Sequence, residues 1–427
     1  MSSPENSPIR AVSHRRARKG RLRRRIVWAV SGALAVILVG TATFVVVTYN
    51  EVSSGIHRST FTLPKASATP GVPQNTGETN ILVMGLDSRV DQNGKPLSTD
   101  VYNAMHAGDQ SDGGYNANVL MLIHIPASGG KATGISIPRD DYVDLAGSPD
   151  GVSRSKIKEA YGLALDQKRR ELTRAGGLSD DEIYQQARAA GRQAEIETVS
   201  QFLGGVPINH FIEITMAAFY TIARAVAPVT VCLNQPTQDK YSGANFAAGV
   251  QELSAEQAMS FVRQRRDTGP NSLNLTDFDR TRRQQAFMVS LAYKLKQANT
   301  FTNFGTMRSL IDTAKQYIAL DQDFDLLSFA QQASKLAGGN ISFTTLPIVK
   351  FDTIDGKSVN VVDTAQIQAT VKQLLTDTSP SPTTSATPNT TATTAPAAPG
   401  APAPTTPSNV YSDWKAPLEA GAIPCVN

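Results

Sequence analysis

Two cysteines and five histidines are all that 427 residues offer of the side chains that most often hold zinc or form nucleophile–base pairs. The histidines, His14, His57, His106, His124 and His210, are scattered. His124 stands inside an apolar run, where a packed strand residue is expected rather than a catalyst. There is no Cys-x-x-Cys, His-Glu-x-x-His or Gly-x-Ser-x-Gly and no complete Walker phosphate loop. Zinc hydrolases, nucleophile-elbow hydrolases and P-loop nucleotidases are therefore poorly supported. No internal repeat is visible.

Charge is also missing where a nucleic-acid-binding body would need it. Of 41 Lys/Arg and 37 Asp/Glu, nine basic residues and one acid, Glu5, fall in residues 1–50. That leaves 32 basic and 36 acidic residues for 51–427, a net charge of −4, so no nucleic acid is expected as a partner. The basic run from Arg15 to Arg25 abuts Ile26–Thr48, 23 residues with neither charge nor proline. As a helix this stretch spans roughly 34 Å, enough for a bilayer core. It is longer than a signal-peptide core and lacks a small-x-small cleavage site, so an uncleaved anchor is expected. The positive-inside rule puts the N-terminus in the cytoplasm and everything after Tyr49 outside, with membrane lipid as a partner.

The expected organisation is a basic cytoplasmic tail (1–25), a transmembrane helix (26–48), a juxtamembrane stalk (49–77), a globular body (78–375), a Ser/Thr/Pro/Ala-rich linker (376–410) and a tail (411–427) that docks on the body. Short apolar runs predict strands at Asn80–Leu86, Val119–Ile125, Ala132–Pro138, Phe211–Thr215, Val229–Leu233 and Ile341–Val349. Helical patterns cover Tyr161–Leu203, broken at Gly176-Gly177, and Ala217–Ala227, Thr281–Gln297, Met307–Leu320 and Leu326–Leu336. Strands interleaved with helices predict an α/β fold, an α/β/α sandwich with a mixed central sheet. Cys232 and Cys425 both lie outside the membrane, where oxidation is usual, and a disulfide between them is the leading reading. Two free thiols are the alternative.

Arg and Asp gather at the ends of the apolar runs. Asp87 and Arg89 follow the first, and Arg139, Asp140 and Asp141 follow the third. Ligands of open α/β sheets lie beyond such carboxyl ends. If Phe261–Arg266 is extended, Arg263 and Arg265 share a face. Arg280 and Arg283 are neighbours on the helix that Asp277–Gln285 opens. Several permanently charged guanidiniums suit phosphates, and carboxylates beside them suit a hard divalent cation.

The segments NILVMGLDSR (Asn80–Arg89), ISIPRDDY (Ile135–Tyr142), KIKEAY (Lys156–Tyr161), GVQELSAEQAMSFVRQRR (Gly249–Arg266) and DRTRRQQAF (Asp279–Phe287) occur in this order. Together they resemble the LytR-CpsA-Psr family of bacterial cell-wall enzymes, over about 78–345. The resemblance implies a phosphotransferase that moves a wall glycopolymer from a polyprenyl-pyrophosphate carrier to peptidoglycan through a phosphodiester bond. It implies an apolar tunnel for the polyprenyl chain and Mg2+ (or Mn2+) at the pyrophosphate. The catalytic set it implies is Asp87, Arg139, Asp140, Arg263 and Arg265. The pyrophosphate-binding set is Arg89, Lys156, Arg280, Arg283 and Gln284, and the metal-side residues are Asp87 and Asn118. Where family members usually carry a second metal-side Asp, this chain has Asn118, and Asp109 or Asp112 is the possible substitute. Either Asp140 or Asp87 serves as base. A membrane-bound regulator that attenuates transcription and a wall-binding scaffold are the rival readings.

Overall fold

Every strand predicted from an apolar run forms, five of them in one sheet and Val229–Leu233 in another. A computed structural model describes residues 56–59, 78–106, 108, 114–270, 272–297, 315–325, 339–376 and 410–427, with positions 305, 308, 312 and 329. The chain divides into Met1–Gly55 and Ile56–Asn427, and the described residues belong to the second unit. The expected transmembrane helix, residues 26–48, lies outside them. Among the described residues no helix is long and apolar enough to cross a membrane.

The strands are β1 (His57–Ser59), β2 (Thr79–Leu86), β3 (Ala117–Ile125), β4 (Ala132–Ile137), β5 (Tyr142–Asp144), β6 (Arg154–Lys156), β7 (His210–Thr215), β8 (Val229–Leu233), β9 (Thr237–Asp239), β10 (Ala244–Phe246), β11 (Gly249–Leu253), β12 (Ile318–Asp321), β13 (Ile341–Thr345), β14 (Lys350–Ile354), β15 (Lys357–Val361), β16 (Val410–Tyr411), β17 (Leu418–Glu419) and β18 (Cys425–Val426). The helices are α1 (Thr99–Met105), α2 (Glu159–Ala175), α3 (Asp180–Phe202), α4 (Met216–Val226), α5 (Ala255–Arg263), α6 (Asp277–Gln297) and α7 (Thr364–Thr376). Eight strands make the main sheet, in the order β1-β12-β7-β2-β3-β4-β13-β17. It is mixed: β2 runs parallel to β7 and β13 to β4, whereas β3 is antiparallel to both its neighbours.

Strand side chains alternate between faces, and here both faces are covered. On β2, Ile81 and Val83 join one apolar cluster with residues of α4, α5 and α6. Leu82, Met84 and Leu86 join another with residues of α2, α3 and α7. The three-layer sandwich expected from the sequence is thus formed. Helices α2 and α3 approach closely because position 191 is glycine, where a Cβ would come 2.7 Å from the Tyr161 ring.

Other elements depart from expectation. The helical pattern over Met307–Leu320 holds at the described positions 308 and 312 and tightens to a 3-10 turn at Lys315–Tyr317, but from Ile318 the chain is strand β12, which pairs antiparallel with β7. Its four residues are too few to show a period in the sequence. Leu326–Leu336 lies outside the described residues, apart from Phe329. The β14–β15 ribbon was not foreseen, because β14 is mostly exposed and carries no apolar alternation. Phe261–Arg263 is the end of α5, not a strand. β1 falls within the stretch read as stalk, and the last residues supply β16, β17 and β18. β17 extends the main sheet beside β13, and β18 pairs with β8, where Cys232 and Cys425 form the expected disulfide.

One charged group lies deep in this core. Glu213 of β7 is fully buried and accepts from Arg188, from Arg192 Nε at 2.7 Å, from Gln92 Nε2 at 3.0 Å and from the Tyr161 hydroxyl at 2.8 Å. Burial alone would raise its pKa. Arg188 and Arg192 outweigh that and hold the carboxyl well below its usual range. The stability this group contributes is therefore present above the unfolded pKa of about 4.3 and is lost as pH falls towards the folded value. Glu213→Gln leaves two guanidiniums buried without a counter-charge. Urea unfolding at pH 7 is expected to show a loss of about 3–5 kcal/mol, and a loss below ~1 kcal/mol would show that the ion cluster does not hold α3 to the sheet.

Candidate active site

The carboxyl ends of β2 and β4, the start of β3 and the N-terminus of α6 meet at one edge of the sheet. β2 ends at Leu86, and the Asp87 backbone N–H donates to the Asn116 carbonyl at 3.0 Å, which fixes Asp87 beside the start of β3. The Asp87 carboxylate pairs with Arg89 at 3.2 Å. β4 ends at Ile137, and Pro138 turns the chain so that Arg139 reaches back across the strand ends. Arg139 Nη1 donates to Asn118 Oδ1 at 2.6 Å and Nη2 to Asp277 Oδ1 at 3.1 Å. Asp277 opens α6, where acids are favoured by the helix dipole. Its other oxygen accepts from Arg280 Nη2 at 2.9 Å. Asp279 has a different task, accepting from the N–H and hydroxyl of Thr276 at 2.7 and 2.9 Å, as an N-terminal cap does.

Asp140 faces two lysines. Lys158 Nζ lies at 2.8 Å, Lys156 Nζ at 3.4 Å and Arg139 Nε at 3.5 Å. Burial works to raise the Asp140 pKa, but Arg139 and Lys158 outweigh it and hold the carboxyl below its usual value. Burial, with Arg139 next, lowers the pKa of Lys158, although Asp140 works the other way. Burial first, then Arg139 and Arg265 against the opposing pull of Asp277, lowers Arg280 to about 10. Arg265 is lowered by burial and Arg139, and Arg263 by burial and Arg89. Arg139 acts on Asp140, Lys158, Arg265 and Arg280 alike, which makes them one electrostatic unit.

Arg89, Arg139, Arg263, Arg265, Arg280, Lys156 and Lys158 face Asp87, Asp140, Asp239 and Asp277, seven cations against four carboxylates. Such a cluster attracts a polyanion. Its oxygen donors, Asp87 above all, are of the type a magnesium ion shared with phosphates takes. The Asn118 amide oxygen is already engaged by Arg139, and Asp109 and Asp112 lie outside the described residues. Among the described residues no group of three or more His, Cys, Asp and Glu forms a metal cage.

Of the expected residues, Arg283 and Gln284 stay outside this unit, and Arg263 carries a structural tie as well. Arg263 ends α5 and donates to the carbonyls of Met105 and His106 at 2.8 and 2.9 Å, capping α1. It shares no strand face with exposed Arg265, because the helix runs through it. Gln284 holds α6 to α5 through the Val262 carbonyl at 3.2 Å. Arg283 is fully buried, and its fork is taken by the Asn427 carbonyl at 2.6 Å, Gln264 Oε1 and Thr237 Oγ1. The sequence reading passed over Asp277 and Lys158, although each stands in or beside a quoted motif. It also passed over Arg282, which donates to the carbonyls of Asp413, Trp414 and Ala416. A cavity of about 230 Å3 between α1, α4 and the side chains of Asp312, Gln316 and Tyr317 shares no residue with the cluster.

The family model described as LytR_cpsA_psr family matches residues 43–376. The chain belongs to the LytR-CpsA-Psr family. The cell wall biosynthesis protein LcpA of Corynebacterium glutamicum is 37 % identical over 308 residues, which cover 72 % of this chain and 57 % of LcpA. The polyisoprenyl-teichoic acid–peptidoglycan teichoic acid transferase TagU of Bacillus cereus is 27 % identical over 71 % of this chain and 83 % of its own length. The solved LytR-Csp2A-Psr enzyme of Actinomyces oris superposes with a TM-score of 0.50 at 19 % identity, over 75 % of this chain and 95 % of that one, a likeness of fold.

Two arginines separate the roles within this LytR-CpsA-Psr domain. Arg283→Ala strands a buried amide and carbonyl, and thermal unfolding is expected to show a loss of at least ~2 kcal/mol. Exposed Arg265→Ala is expected to stay within about 0.5 kcal/mol of the parent. Equal losses would mean that Arg283 is not a structural tie.

Proposed function

We propose that the protein is a phosphotransferase that takes a wall glycopolymer from a polyprenyl-pyrophosphate carrier and joins it to a peptidoglycan hydroxyl through a phosphodiester bond. The observation that carries this reading is the excess of cations held around Arg139 at the strand ends. A doubly ionised pyrophosphate diester offsets that excess, and planar guanidiniums grip its oxygens in pairs. Family membership supports the reading, as do the names of LcpA and TagU. A scaffold or regulator has no evident use for guanidiniums gathered this way at a solvent-accessible edge.

In this reading the acceptor hydroxyl oxygen attacks the sugar-side phosphorus in line. The bond from that phosphorus to the bridging oxygen breaks, and polyprenyl phosphate leaves with the electron pair. Arg139, Arg280 and Arg265 hold the equatorial oxygens and the leaving phosphate, neutralising charge as it shifts to the bridging oxygen. Asp277 keeps Arg139 and Arg280 aimed from one side. Asp140, held ionised by its cations, is a weaker proton acceptor than an ordinary carboxylate. Asp87 then takes the acceptor proton or binds a cation, but not both with one oxygen. Magnesium or manganese, bound through Asp87 and substrate oxygens, would supply further charge neutralisation. The polyprenyl chain would run between the sheet and a helical layer into the membrane, with the anchor of residues 26–48 keeping the domain at the outer bilayer surface.

The test is transfer from a labelled polyprenyl-pyrophosphate donor to peptidoglycan by the full chain in detergent. Arg139→Ala and Arg280→Ala are each expected to lose at least ~100-fold in rate. Rates within a few-fold of the parent would remove the cluster from the chemistry.

A further inference from the structure

Beside the cation cluster stands an aromatic surface that the phosphate chemistry does not use. Phe278 follows Asp277, the carboxylate that holds Arg139 and Arg280, and is itself buried. Trp414 stacks on it at 4.0 Å between centroids, and Phe351 meets it edge-on at 5.9 Å. Phe351 is 62 % exposed and its neighbour Val349 60 %. Exposed apolar groups that adjoin one another at a polar site mark a contact surface.

Both outer rings are held by residues that adjoin the active site. Phe351 on β14 lies directly across from Asn360 on β15. The Asn360 backbone N–H donates to the Asp140 carbonyl at 2.8 Å, and its amide donates to Asp141 Oδ1 at 2.9 Å. Phe351 therefore stands one strand spacing from the residue bonded to Asp140 and Asp141. Trp414 is held from the other side, since Arg282 takes the carbonyls of residues 413, 414 and 416. The disulfide ties the end of the same segment to β8.

We propose that Phe351 and Trp414, backed by Phe278, form a stacking platform for a sugar ring of the acceptor glycan, next to Arg139 and Asp140. This rests on the transfer reading above and specifies where its second substrate lies. A pyranose presents a face of C–H bonds to an aromatic π-cloud and a rim of hydroxyls to polar groups. A polar rim is present in part: Thr353 shares the strand face of Phe351, and Asp413 and Lys415 flank Trp414, with Lys415 Nζ 5.5 Å from the indole centroid, while the Lys350–Asp352 pair lies on the other face of β14. Two positive and two negative charges give no net attraction to an anionic bilayer, which needs basic residues. Two rings and a valine are also far short of the ~1,000 Å2 that a stable protein interface buries. A glycan strand fits both limits, and its hydroxyl must come within reach of the phosphate that the arginines hold.

The probe is a soluble, uncrosslinked peptidoglycan tetrasaccharide, titrated by calorimetry and tryptophan fluorescence into the full chain in detergent without donor. The only tryptophans are Trp28 and Trp414, so a quench that disappears in Trp414→Ala locates the sugar. Phe351→Ala, at an exposed position, is expected to weaken binding at least ~10-fold, and Phe351→Trp to restore it. With donor, the same loss is expected in acceptor KM. No binding by the parent chain, binding by Phe351→Ala within twofold of it, or a Phe351-dependent affinity for anionic vesicles in place of the glycan each overturns the platform. The two readings fail separately. Phe351-dependent glycan binding without any transfer sinks the enzymatic reading and keeps the platform. Transfer with an unaltered acceptor KM in Phe351→Ala does the reverse.

Discussion

A sheet covered on both faces has nowhere in its middle for a charge that lacks a partner. Strands β2, β3 and β4 obey this, with Leu82, Met84, Leu120, Leu122 and Ile135 buried on one side and Ile81, Met121 and Ile123 on the other. Charged residues are admitted under two conditions. They are fully paired, as Glu213 is by Arg188 and Arg192, or they sit where the strands end and water can reach them. Asp87 and Arg139 take the second option, and the site lies at the strand ends for that reason.

The same residue type consequently does three kinds of work. Arg139 and Arg280 face one another across Asp277, Arg188 and Arg192 neutralise a buried carboxylate, and Arg282 and Arg283 hold the returning C-terminal segment. Arginine suits all three because it stays charged when buried and offers five donors in a plane. Its role is decided by what the neighbouring backbone leaves unsatisfied. The three arginines of Asp279–Phe287 make the point: Arg280 meets a carboxylate, whereas Arg282 and Arg283 meet main-chain carbonyls.

That contrast sets the limit of what the sequence discloses. The strands, the break at Gly176-Gly177, the family motifs and the strand-end position of Asp87 and Arg139 are local, and two- or 3.6-residue periods or short signatures carry them. The pairing of Cys232 with Cys425 followed from compartment and parity. What escaped depends on distant chain segments. Nothing near Arg283 says that the Asn427 carbonyl will meet it, and nothing near Phe351 says that β14 will be an exposed strand opposite Asn360. Arg263 was misread for a local reason: the sequence around Phe261 is apolar enough for a strand, while the capping box of Ser254 and Gln257, about two turns earlier, commits it to α5.

Crowding guanidiniums at the strand ends costs stability in the unliganded protein, and Arg139 and Arg265 add to burial in lowering the pKa of Arg280. The domain offsets it with devices close by. Asp277 bridges two of the arginines, Thr276 and Asp279 cap the helix that carries them, and the disulfide-held segment packs against the same helix through Arg282 and Trp414. The disulfide is best understood at this scale. A 193-residue separation gives up to ~5 kcal/mol in a chain-entropy account. Most of that loop is already folded, so the restraint acts chiefly on residues 410–427. Any anion that the cluster then binds relieves the remaining repulsion, and its affinity includes that relief as well as the contacts themselves.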